Sequence, residues 1–151
     1  MIEVDRVQVV QEMWPSIGPH DVRSLSAAAA ATREILRTLA HATVVRADAL
    51  KALPYVVDGY TMLGGLAEAA SSERQFLQQL ADWAEHFADD PTLRHTEHRD
   101  QPGEGIAQAQ QSALETAEDL REAAGHAEAL MRALQRAQAH TSPLYHDDEK
   151  A

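Results

Sequence analysis

A chain of 151 residues, 44% apolar but only 5% aromatic, with 24 acids against 13 bases and no cysteine, is sized for one domain. The missing cysteine excludes disulfides and thiolate metal sites. A formal charge of −11 argues against a surface that tracks phosphate, whether on nucleic acid or on an anionic membrane.

Alanine accounts for 28 residues, and the bases are 11 arginines to 2 lysines, a ratio that the GC-rich codons of a high-GC bacterium would produce. Alanine is also the best helix former, so the bias serves structure as well. The N-terminus, Met1 to Arg6, carries acids where a secretory signal needs positive charge. No window approaches the roughly 20 apolar residues of a membrane span. A soluble cytoplasmic protein is the expectation.

In chain order, residues 3 to 14 place Val4, Val7, Val10 and Trp14 at three-to-four spacing, which predicts a short amphipathic helix closed by Pro15. Val4, Val7 and Trp14 are its candidate partner-binding face. Pro15 to Pro19 reads as a rigid turn. From 20 to 53 the heptad positions hold Val22, Ala29, Leu36, Thr43 and Leu50 with Leu25, Thr32, Leu39, Arg46 and Leu53, a helix whose weak step is the β-branched run Thr43-Val44-Val45. Pro54 opens a second helix or kinks the first, and Asp58-Gly59 with Gly64-Gly65 makes 54 to 66 the least determined stretch.

A second long helix is predicted over 55–88, with Leu66, Ala70, Leu77, Leu80, Ala84 and Phe87 on one face, flanked by Phe76 and Trp83. Ser72 with Gln75 is compatible with a capping box for a restarted helix, but the continuous helix fits the pattern better. Asp89-Asp90-Pro91 ends it, and Asp90 as cap with Pro91 in first position predicts a short helix to about His98. Residues 99 to 105 form a loop by composition. The third long helix, 106–140, carries Ile106, Ala113, Ala117, Leu120, Ala124, Ala127, Met131 and Leu134 on one face, with acids toward its start and Arg132 and Arg136 toward its end. Residues 142 to 151, polar and acidic, read as a flexible tail.

Three long helices with short connections predict an all-α fold, an elongated antiparallel three-helix bundle over 1–141 with a short N-terminal helix. Alanines on the seams imply close, shallow packing, so pairing with another chain would add stability.

Site chemistry is sparse. His95 and His98 stand at i and i+3, yet a metal needs three or four ligands and the flanks do not supply them. A di-iron bundle needs Glu-x-x-His motifs, and no glutamate here has a histidine three residues on. No serine sits in a nucleophile elbow, and neither Gly64-Gly65 nor Gly103-Glu104-Gly105 matches a phosphate-binding loop. Arginines are dispersed among acids, against direct nucleic-acid binding. The expectation is therefore no catalytic residues, no cofactor and no metal, with a protein partner or a second copy as the ligand. A small-molecule or metal site around Tyr55, Tyr60, Phe76, Trp83 and the histidines is the alternative.

Tyr145-His146-Asp147-Asp148-Glu149 offers a third reading. A tyrosine with an acid four residues later resembles the Tyr-x-x-x-Asp/Glu tail signal of helical substrates of actinobacterial type VII secretion. The resemblance covers five residues, implies export, and lacks the family's Trp-x-Gly turn, since Trp14 is followed by Pro15 and Ser16.

Overall fold

A computed structural model describes residues 5–98 and 102–147. Among them the chain is all-helical, with five α-helices, two short 3-10 turns and no strand. It divides into two compact units, Met1–Pro54 and Tyr55–Ala151.

The first unit holds α1 (Arg6–Met13), α2 (Val22–Ala42) and α3 (Arg46–Ala52). Each of the first two starts on an aspartate cap. The Asp5 carboxylate accepts from the amides of Val7 (2.9 Å) and Gln8 (3.2 Å), and that of Asp21 from Ser24 (2.7 Å). The helix expected over 20–53 is broken at Thr43–Val45, its weak step. The Thr43 hydroxyl donates back to the Leu39 and Ala40 carbonyls, and the last amides reach only 3.4 Å to their acceptors, so the turn tightens and stops. Leu53, preceding Pro54, is held out of the helical region, which ends α3.

The second unit is an antiparallel hairpin of α4 (Val56–His86) and α5 (Pro102–Thr141). Asp58 reaches back to accept from the Tyr55 amide at 3.0 Å, one half of a capping box. The glycine pair does not interrupt α4. Gly64 instead lets α5 approach: a Cβ there would stand 2.5 Å from Gln138 Nε2, which donates to the Tyr60 carbonyl at 3.2 Å. Gly65 and Gly125 face open space. Replacing either with alanine is therefore expected to stabilise the hairpin by about 0.5–1 kcal/mol through helix propensity alone, whereas Gly64→Ala loses the Gln138 bond and gains less. Thermal denaturation followed by circular dichroism ranks the three; a Gly64→Ala gain matching the other two would refute the close approach.

Among the described residues the buried side chains belong to alanine alone: Ala67, Ala70, Ala81 and Ala84 on α4, and Ala109, Ala117, Ala124 and Ala127 on α5. The predicted thin seam is present, but Leu66 and Leu80 flank it instead of filling it. On α4 the seam runs through 63, 67, 70, 74, 77, 81 and 84, a strict alternation of four and three steps, and on α5 through 113, 117, 120, 124, 127, 131, 134 and 138.

Two local expectations are corrected. The segment after Asp90 is no α-helix: its carboxylate accepts from both the amide (2.8 Å) and hydroxyl (2.6 Å) of Thr92, closing an Asx turn, and only Thr96–His98 is helical, as a 3-10 turn. Residues 102–105, expected as loop, are the first turn of α5. There Pro102 occupies a starting position that needs no amide donor, and the buried Gly105 accepts at its carbonyl from the His95 amide, 3.1 Å. At the other end, residues 142–147 fold back on α4, where His146 Nε2 accepts from the Val56 amide at 3.2 Å and its ring meets Tyr55 edge-on.

Candidate interaction surface

In α1, α2 and α3 no residue is buried. The apolar stripes read from the sequence lie on the outside: Val22 is 80% exposed, Leu25 55% and Leu36 54%. Of the three candidate partner-binding residues, Val4 lies outside the described residues. Val7 is exposed and, with Val10 of α1 and Ile35 and Leu39 of α2, lines a groove of about 510 Å³. Trp14 is turned inward. Its indole N–H donates to the Ser24 carbonyl at 3.1 Å, clamping the end of α1 to the start of α2. That clamp was not legible, because it joins residues ten apart through a turn of Pro15, Gly18 and Pro19 in which Gly18 takes a φ of +153°.

Charge divides sharply between the units. Six of the 24 acids and six of the 13 bases fall in residues 1–54, so the first unit has no net formal charge and the second carries the whole −11. On α2, Arg33 and Arg37 both pair with Glu34 (3.2 and 3.0 Å), leaving the flank of the apolar stripe mixed in sign.

The alternative site is not assembled as one. Tyr55 and Tyr60 stand at the start of α4 and Trp83 near its end, 28 residues later and so roughly 40 Å away. What the second unit does form is a small pocket of about 290 Å³ where α4, the connector and α5 meet. Trp83 and Phe87, edge-to-face at 4.9 Å, form its aromatic wall, and Leu93, Arg94 and His95 face the alanines of α5. The connector is held by Arg94, which donates to the Pro91 and Leu93 carbonyls, both 2.7 Å, and by the Asp90 turn. His95 Nδ1 accepts from the Glu97 amide at 3.3 Å; His98's side chain lies outside the described residues, and no group of three metal-ligating side chains occurs among those described.

The hydroxyl and amide of Thr92 hold the Asp90 carboxyl below the usual carboxylate range, assisted by His86 and Arg94. A depressed folded-state pKa contributes stability above the unfolded value and loses it as pH falls through the folded one. The connector is thus expected to loosen only in acid, below the pH at which a free aspartate takes up its proton. A carboxyl NMR titration checks it: an Asp90 midpoint at or above that of a free aspartate would refute the turn. Across the hairpin, Arg121 bonds Glu85 with Asp82 nearby, and this carboxylate pairing raises its guanidinium pKa still further.

Comparison with protein-family models, with curated proteins and with solved structures finds no match to this chain. No helix among the described residues is long and apolar enough to cross a membrane.

Proposed function

We propose that this protein is a non-enzymatic helical interaction module that associates with itself or acts as an adaptor, docking through its N-terminal helices. One observation carries the reading. A helical unit whose Val22, Leu25, Ile35 and Leu36 are all at least half exposed, and none of whose described residues is buried, leaves apolar surface that burial against another chain would remove from water at about 25 cal/mol per Å². The unit's zero net charge supports it, since apolar docking there meets no long-range repulsion. The absence of a thiol, a nucleophile elbow and a phosphate loop from the sequence agrees with a binding role.

Light scattering on the purified chain over a dilution series tests the reading directly. A mass of two or more copies of 16.6 kDa at micromolar concentration, falling on dilution, is expected. A constant single-chain mass, with no stoichiometric partner in a tagged pull-down, would overturn it.

The Trp83–Phe87 pocket favours a second reading, a small planar apolar ligand held against the two rings beside Arg94 and His95. Quenching of Trp83 fluorescence across a fragment library, absent in Phe87→Ala, supports that reading; no hit in the whole library counts against it.

A further inference from the structure

We propose that residues 142–147 form an acid-released latch on the first turn of α4, held while the His146 imidazole is neutral and let go when it takes up a proton. The latch lies wholly within the second unit, and two contacts make it.

The first contact is a helix cap. The amide of Val56, the first residue of α4, has no acceptor inside the helix, and the first-turn carboxylate of Asp58 is already spent on the Tyr55 amide at 3.0 Å. His146 supplies the missing acceptor from the far end of the chain. Its Nε2 accepts from the Val56 amide at 3.2 Å while its ring meets Tyr55 edge-on, centroids 5.7 Å apart.

The second contact comes from the turn that brings His146 there. The Thr141 hydroxyl and the Ser142 amide both donate to the Gln138 carbonyl (2.8 and 3.1 Å), Pro143 cannot continue the helix, and the Leu144 amide donates to the Thr141 carbonyl at 3.1 Å. Leu144 is thereby set beside Val57 and Tyr60 around a hollow of about 240 Å³.

The acceptor role fixes the protonation state. Nε2 has a lone pair to offer only in the neutral ring, with the proton on Nδ1. A proton added at Nε2 takes that lone pair, so the N–H···N bond breaks and two donors face each other. The new positive charge also stands at the positive end of the α4 macrodipole. Both effects disfavour the docked cation, so raising the pH favours docking and acid opposes it. The ionisable groups on the elements that meet here are Tyr55, Asp58 and Tyr60 on α4, His140 on α5, and Tyr145 and Asp147 in the segment itself. Asp58 is occupied by its cap, and Asp147, next to His146 in the chain, attracts its charge equally in the docked and released states. Imidazoles titrate within about pH 5–8, which puts the switch near neutrality. Release uncovers Tyr55 and the hollow beside Val57 and Tyr60.

The test is 15N relaxation on the full chain at about pH 7.5 and about pH 5.5, on either side of an imidazole's usual range. The heteronuclear NOEs of Leu144, Tyr145 and His146 are expected to be close to those of α5 at the higher pH and to collapse at the lower, with the Val56 amide shift following the same midpoint as the His146 ring. Circular dichroism should show the helices unchanged. His146→Gln, whose amide oxygen accepts without titrating, is expected to stay docked at both pH values, and His146→Ala to be released at both. A segment equally ordered at the two pH values, or already loose at the higher one, overturns the latch. Acid release of His146→Gln like that of the parent, or a Val56 shift that follows a carboxylate midpoint, overturns the assignment to His146.

Discussion

Ala117→Leu is expected to cost the α4–α5 hairpin about 2–3 kcal/mol and to lower its melting temperature by about 10–20 °C. Ala117 and, across the seam, Ala81 have no exposed surface at all, and every other buried side chain among the described residues is also alanine. A leucine adds three heavy atoms where two backbones meet. The seam holds no flexible buried side chain that could shift to admit them, so the helices must separate and the neighbouring alanines lose contact together. Ala129→Leu, on the exposed side of the same helix, is the control, and is expected to change stability by less than about 0.5 kcal/mol. Equal losses from the two variants, measured by thermal or urea denaturation, would mean that the helices do not meet along these alanines. A corollary separates this hairpin from ordinary cores. Among the described residues no large side chain is fully buried, so truncating Leu77, which is half-buried, should cost about 1 kcal/mol and not the 2–5 typical of leucine.

Arg74→Met is expected to act in the other direction, raising hairpin stability by about 1–2 kcal/mol. Position 74 lies on the seam of α4 between Ala70 and Leu77, and the Nε of its guanidinium is buried without a hydrogen-bond partner. A buried donor left unsatisfied costs about 1–3 kcal/mol, and methionine reaches as far as that Nε with an apolar methyl in its place. Gln138, the polar residue on the α5 seam, shows the contrast, since its amide is spent on the Tyr60 carbonyl. Urea denaturation of Arg74→Met beside the parent checks it. A loss of stability would show that the remaining guanidinium nitrogens make contacts worth more than the orphaned Nε costs. If the variant is more stable yet associates differently in light scattering, the arginine also sets specificity, the use best attested for polar residues on helical seams.

Much of the secondary structure was legible because its signals are local. Spacing at three and four, proline at starts and stops, and the macrodipole pattern of acids before bases place α4 and α5 to within a few residues, and the start of α2, whereas the single helix expected over 20–53 is split into α2 and α3. The misses share a cause. Asp90 and Pro91 satisfy the rule for a helix start, but Thr92 offers that carboxylate two donors at once, and a turn wins. Gly103 and Gly105 read as loop, yet sit in the first turn of α5, where the Gly105 carbonyl accepts from the His95 amide, a contact between segments ten residues apart. On α4 the sequence placed Ala70, Leu77 and Ala84 on the seam but took Leu66 and Leu80 in place of Ala67 and Ala81, because Arg74 masks the regularity. Leaving that residue in the count yields the unbroken four-three alternation from 63 to 84.

For the candidate surface, the sequence found the stripes but not their fate. Val7 and Trp14 look equivalent on a helical wheel; the structure turns Trp14 inward onto Ser24 and leaves Val7 on the groove. Likewise, the aromatic residues that sequence groups as one region lie at opposite ends of a long helix. Proximity in sequence of similar side chains says nothing about convergence in space.

By itself, then, the sequence determined the all-helical class, the alanine seam and the thinness of packing, because helix propensity, period and side-chain size act over a few residues. Only the tertiary structure decided which stripes are spent and which are left over. α4 and α5 consume theirs on each other, while that of α2 stays exposed, since burial depends on which surfaces meet and not on how apolar each one is.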